Sequence, residues 1–330
     1  MVSTRKKILA FAITLAGLLV LFLLAVNTGS LKVTPGELIR GLFVEYNENV
    51  AAVYDLRFPR IFIAMFGGGA VAVSGVLLQA VMKNPLADPG IIGISSGASF
   101  AAVIITAFFP MLYFVTPLFA FLGGMAACVL VYTLSWKGDL SPLRIILVGV
   151  AVNAVFTGLM SAFNSASGSS YSGVASIVNA NISMKTWEDF QTLLIYVVIG
   201  LGASLFVSGQ CNLLALEDKT VRSLGIDVTK SRILVSVIAV MLASIATAIM
   251  GPISFLGLIV PHIARLLVGS NHKVLIPYAI VLGAFSLLLA DTIGRTIAMP
   301  YEISASVIMS VAGGPFFIIL LRRSRKGYGQ

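Results

Sequence analysis

The chain has 330 residues, of which 58% are hydrophobic and 11% charged, with a net charge of +9. So little polarity over that length, with a mean hydropathy of +1.01, excludes an ordinary soluble domain. It predicts an all-α polytopic membrane protein, because inside a bilayer every backbone polar group needs a partner from its own helix. Cys128 and Cys211 fall in different layers of the topology below and support neither a disulfide framework nor a metal site, and His262 and His272 form no ligand cluster.

Apolar windows of about 20 residues predict ten spans, near 8–26, 58–82, 91–109, 114–135, 142–164, 191–209, 233–250, 254–268, 274–291 and 303–321. The first follows Arg5, Lys6 and Lys7. At about 1.5 Å per residue it reaches roughly 28 Å, which reads as an uncleaved span better than as a signal peptide. The next segment contains TPGELIRGLF, a short interfacial helix with Thr34 as cap and Pro35 at its first position. In the second span, Gly67, Gly68 and Gly69 with Ser74 and Gly75 mark close helix packing. Lys83-Asn84-Pro85-Leu86-Ala87-Asp88-Pro89-Gly90 then makes a rigid turn. Gly93, Ser95, Ser96 and Gly97 look superficially like a phosphate loop, but after that turn they read as the start of the third helix.

On the fifth span, Asn153, Thr157, Ser161 and Asn164 recur at helical spacing and share one face. A polar face in lipid turns inward; interhelical hydrogen bonding and pore lining fit it equally. Ser306, Ser310 and Gly313 form a similar face on the last span. Residues 165–190 are rich in Ser, Gly and Asn, with Trp187 as an interfacial anchor before the sixth span.

Residues 210–232 are a charged island between long apolar runs, carrying Glu217, Asp218, Lys219, Arg222, Asp227, Lys230 and Arg232. Asp218 is expected to cap a short helix there, Val221 and Leu224 to share one of its faces, and Gly225 to supply a left-handed stop. The island is either a solvated loop or a compact plug offered to a soluble partner.

An even number of spans puts both termini on one side. With the N-terminus inside, Lys32, Arg40, Arg57, Arg60, Lys185 and Arg295 are the six outer basic residues of 22, while eight of 13 acidic residues lie outside. This satisfies the positive-inside rule, and the net charge needs no nucleic acid to explain it. The centres of the spans hold no Asp, Glu, Lys or Arg. Proton-coupled carriage is therefore disfavoured, although a sodium site built from neutral oxygens stays open. No G-x-x-x-x-G-K-[ST] occurs either, so active transport would need ATP used by another chain. No cofactor or metal is expected in this chain, and no bond chemistry.

Five motifs then carry a resemblance: LRFPR at 56–60, SGVLLQAVMKNPLADPGIIGISSGA at 74–98, NLLALEDKTVRSLG at 212–225, GPISFLGLIVPHIAR at 251–265 and LLLADTIGR at 287–295. In order and at compatible spacing, the chain resembles the FecCD-type permeases of type II ABC importers for iron siderophores, haem and cobalamin. The resemblance implies the type II ABC importer permease fold as one ten-helix transmembrane permease domain over 1–330. It also implies a bacterial cytoplasmic membrane with both termini cytoplasmic, a second permease subunit (identical or paralogous), two cytoplasmic ABC ATPases using ATP and Mg, and an extracytoplasmic binding protein.

The expected cargo is a ferric siderophore, with haem or cobalamin as the alternative and an ion-coupled secondary transporter as a remote one. By resemblance, Leu213, Leu216, Glu217, Asp218, Val221, Arg222, Leu224 and Gly225 couple to the ATPase, within 210–232. Arg57, Arg60 and Arg295 match positions that pair with glutamates of the binding protein. Leu140 and Ser141 resemble a gate at the inner start of the fifth span, whose polar stripe becomes a pore wall. His262 is structural within its motif. One departure is Ile177-Val178-Asn179-Ala180-Asn181, where many relatives have a tryptophan and then a glycine pair; it bears on substrate identity and leaves the fold alone.

Overall fold

A computed structural model describes residues 2–28, 33–135, 142–166 and 172–324. All regular structure among them is helical: α1 Thr4–Asn27, α2 Pro35–Phe43, α3 Glu48–Leu56, α4 Phe58–Met82, α5 Ile94–Phe108, a 3-10 turn Pro110–Val115, α6 Thr116–Ser135, α7 Pro142–Ala166, α8 Ser172–Val178, α9 Trp187–Phe206, α10 Ser208–Leu214, α11 Asp218–Ser223, α12 Val228–Met250, α13 Leu256–Val268, α14 His272–Thr296 and α15 Ala305–Ser324. A helix occupies each of the ten apolar windows. Seven helical segments are long and apolar enough to cross a membrane, whereas Ile94–Phe108, Leu256–Val268 and Ala305–Leu320 are shorter. The 15 residues of α5 rise only about 22 Å at about 1.5 Å each. Their windows began in irregular backbone: Pro85 and Pro89 keep the chain out of helix before α5, and Pro252 and a left-handed Phe255 (φ 65°) precede α13.

The expected start of α2 is present: Thr34 accepts from the Glu37 amide while Glu37 returns to the Thr34 amide, closing a capping box behind Pro35.

At the centre lies α4, in the most buried of the seven segments, packed by α9, α12, α13 and α14. Small residues make that possible. A Cβ on Gly68 would lie 2.5 Å from the Gly283 carbonyl oxygen, and a Cβ on Gly75 would lie 1.9 Å from that of Gly257. The backbones of α14 and α13 therefore rest directly on α4. Between them, Ser74 Oγ donates to the Ala239 carbonyl of α12 at 2.7 Å. In lipid no hydrophobic gain drives helices together, so backbone contact of this kind, with hydrogen bonds, carries the association.

The turn after α4 is held from within. Asn84 Oδ1 accepts from the Leu86 amide at 3.0 Å, and the fully buried Asp88 accepts from Gly90 at 2.8 Å and Ile91 at 3.1 Å. Its other oxygen faces the Gly257 backbone in the first turn of α13, whose own N-cap supplies no side-chain bond. Asp88 thus sets a carboxylate against the positive end of α13.

Burial pushes the Asp88 carboxyl up to about 6, against backbone amides of Ile91, Gly90 and Gly257 that hold it down. The unfolded group titrates near about 3.9, so the folded state holds the extra proton between those values and stability falls as pH rises through that window. Between pH 4 and 6.5 the melting temperature of the wild type should drop relative to Asp88→Asn and then run parallel to it. Curves parallel throughout would contradict this account of the buried carboxyl.

Candidate functional site

The charged island folds as α10, α11 and the loop to α12, at the end of the bundle where α4 finishes and α14 begins. Here it is called the plug. Cys211 and Leu214 are buried, and α10 packs on α4, α12 and α14. Asn212 joins it to α14: its Oδ1 accepts from the His272 backbone amide and ring Nδ1, both at 2.8 Å, and its Nδ2 donates to Asn271 Oδ1 at 3.0 Å. Gly225 adopts φ 78°, the expected left-handed stop.

Two details differ from the sequence reading. Asp218 is the first residue of α11 and does not cap it; Glu217 holds the N-cap position without a side-chain bond. The Asp218 carboxylate turns instead to Lys83 Nζ at 2.9 Å and Arg232 Nη2 at 3.0 Å, and the Lys83 hydrogen bond leads in holding its pKa below the usual range. Lys83 also donates to the Leu216 carbonyl. Half-exposed pairs of this kind are worth about 0–1 kcal/mol each, so the node chiefly fixes geometry, tying the end of α4 to α11 and the start of α12.

The second difference concerns Val221 and Leu224. Val221 is buried against the core, whereas Leu224 is 59% exposed. The helix stops at Ser223, so the three-residue spacing no longer puts both on one face. The outward surface consists of Leu216 and Leu224 flanked by Glu217, Lys219 and Arg222, with Leu213 half-buried beneath.

At the opposite end the three arginines turn inward. Arg60, 6% exposed, donates through Nε and Nη2 to Asp291 at 2.8–3.0 Å and through Nη1 to Glu302 at 2.8 Å. The buried Arg295 donates to the carbonyls of Ala25 and Thr28, and Arg57 to that of Val26 at 2.6 Å. Ser183, in the α8–α9 connection, donates to Glu302. Burial raises the Glu302 pKa, but the Ser183 and Arg60 hydrogen bonds and the Arg60 charge outweigh it, and the net shift is downward. One ion network therefore clasps the start of α4, the end of α14 and the loops at this mouth. Sequence reasoning did not foresee Asp291 and Glu302 as partners of Arg60; their common position at span ends on one predicted side was the available signal.

On α7, Thr157 and Ser161 are exposed and Asn153 and Asn164 half-buried, on a helix that also exposes Leu147, Val150, Val155 and Leu159. Leu140 and Ser141 lie outside the described residues. Among the described residues no three His, Cys, Asp or Glu gather as a metal site.

Three comparisons bear on this geometry. The FecCD transport family matches residues 17–323. The "Probable heme-iron transport system permease protein IsdF" of Staphylococcus aureus (strain MSSA476) is 39% identical over 326 residues, covering 99% of both chains. Among solved structures, a metal-chelate type ABC transporter in an inward-facing conformation superposes with a TM-score of 0.78 at 27% identity, over 96% of this chain and 99% of the other. PsaBC from Streptococcus pneumoniae, at 16% identity and a TM-score of 0.58 over 87% of this chain and 95% of its own, shares the fold.

Removing one partner of a buried ion pair costs about 3–5 kcal/mol, whereas an apolar replacement of both is often tolerated. Arg60→Met should therefore lower the melting temperature sharply, and adding Asp291→Leu should restore most of the loss. A double variant no more stable than the single would show that the clasp is not a pair.

Proposed function

The chain belongs to the FecCD transport family, and from that membership we propose that it is the multi-pass membrane permease of an ATP-binding-cassette importer carrying an iron-bearing chelate. The plug carries this reading. It is a compact protrusion whose exposed Leu216 and Leu224 sit among charges, while its inner side is locked to α4, α12 and α14. An apolar pair ringed by charge suits a groove in a soluble partner.

In this reading the plug end is cytoplasmic, as are both termini, and the passage forms between all ten helices of this subunit and a second permease, identical or paralogous. Each permease seats one ATPase subunit, and ATP and Mg are used there. Closure of the ATPase pair moves the plug, and the Lys83–Asp218–Arg232 node hands that motion to the spans. The α7 stripe of Asn153, Thr157, Ser161 and Asn164 lines the passage, with Leu140 and Ser141 as its gate.

A binding protein delivers cargo at the mouth. Docking through Arg57, Arg60 and Arg295 there proceeds by exchange. Glu302, with 43% of its side chain exposed, can yield Arg60 to an incoming carboxylate while the buried Asp291 keeps its hold.

Haem is the first candidate for cargo, since the name of the relative at 39% identity supports it; a ferric siderophore is second and cobalamin third. In proteoliposomes with the cognate ATPase and binding protein, ATP-dependent haem uptake should exceed ferric siderophore uptake. The reverse order would make this a siderophore permease. Uptake abolished by collapsing ion gradients with ATP present would instead support a secondary carrier.

The differing placements of Val221 and Leu224 give a second test. Leu224→Asp should leave the melting temperature unchanged and weaken ATPase capture by about tenfold, equivalent to about 1.4 kcal/mol, whereas Val221→Asp should destabilise the permease itself. Full ATPase capture and transport by Leu224→Asp would remove the plug from the coupling path.

A further inference from the structure

A cavity of about 480 Å³ opens at the plug end, beside Ala215, between the end of α4, the last turn of α13 and the start of α14. Lys83, Arg265, Ser270 and His272 are among its polar lining residues, and Ala80 and Leu266 among its apolar ones. Among the described residues no carboxylate pairs with Arg265, whose Nη1 donates to Gln79. Asp218 is shared between Lys83 and Arg232, which leaves that node net positive. The N-terminus of the 25-residue α14 adds its own positive end. A desolvated guanidinium without a counter-charge is costly, and an anion at this wall would offset that cost.

His272 narrows where an anion can sit. It is 5% exposed, and Nε2 has no partner among the described residues. Asn212 Oδ1 accepts from the His272 backbone amide, and its Nδ2 is engaged by Asn271, so the amide orientation is fixed and Nδ1 must carry the ring proton. In the neutral ring Nε2 is then a lone pair, shut off from solvent, that repels an anion's oxygen, so the wall leaves an anion to its cationic donors. From it, Leu266 (70% exposed) and Leu267 (41% exposed) continue as an apolar strip on the outside of α13.

We propose that this cavity holds the headgroup of an anionic membrane lipid, its phosphate on Arg265 and Lys83 and its acyl chains along Leu266 and Leu267. Guanidinium and ammonium pairing with a phosphodiester, and apolar contact beside it, are the general chemistry of such sites. The site stands whatever the cargo of the permease.

Native mass spectrometry of the full chain, released from nanodiscs of defined composition, tests it. Phosphatidylglycerol should be retained about tenfold over phosphatidylcholine. Arg265→Gln should abolish that preference, Arg265→Lys should keep most of it, and Arg40→Gln, at the other end, should not affect it. Equal retention of phosphatidylglycerol and phosphatidylcholine by the wild type would overturn the proposal, and that comparison does not depend on any variant folding. Displacement of the lipid by equimolar glycerol 3-phosphate would also overturn it, in favour of a soluble ligand. Expulsion of the lipid on adding the ATPase subunit would assign the cavity to an acidic group of that partner instead.

Discussion

Lys83 joins the charged protrusion at one end of this molecule to the long apolar helices. It ends the central helix in a left-handed conformation (φ 49°), and from there its ammonium reaches both the Leu216 carbonyl and Asp218. Neither bond is strong on its own at half exposure. Together with Arg232 on Asp218 and with Asn212 on His272, however, they fasten the plug to α4, α12 and α14 at several points.

The same helix is seated along its length by backbone contact, at Gly68 with Gly283 and at Gly75 with Gly257. Gly257 also lies against Asp88, so one short stretch of α13 touches α4 on one side and a buried carboxylate on the other. At the far end Arg60 and Asp291 close the stack, with Glu302 and Ser183 drawing in the loops of the mouth. The half-exposed Glu302 is the member of the clasp that solvent can reach.

Much of this was legible in the sequence. Every apolar window holds a helix, because a long apolar run admits no other structure in lipid; Thr34 and Pro35 announced their helix start, and Gly225 its stop. The shortness of α5 and α13 was hidden, since a hydropathy window counts apolar residues whether or not proline lets them coil. Local spacing misplaced Leu224 because the helix ended one residue early, at Ser223. Asp218 read as a cap because its cap-forming chemistry is local, while the cation that claims it, Lys83, is 135 residues away. Likewise 231 residues separate Arg60 from Asp291, and their pairing follows from adjacency that composition does not carry. The family resemblance held over residues 17–323, but it put Arg60 and Arg295 at a surface where the chain itself buries them.

The central claim is that plug and spans move as one body. Spin labels on the exposed Arg222 of the plug and the exposed Lys273 at the start of α14 measure it, in the assembled transporter with and without bound ATP. The separation should stay the same in both nucleotide states while distances across the two permeases change; a plug that shifts against α14 by several ångströms would contradict the account.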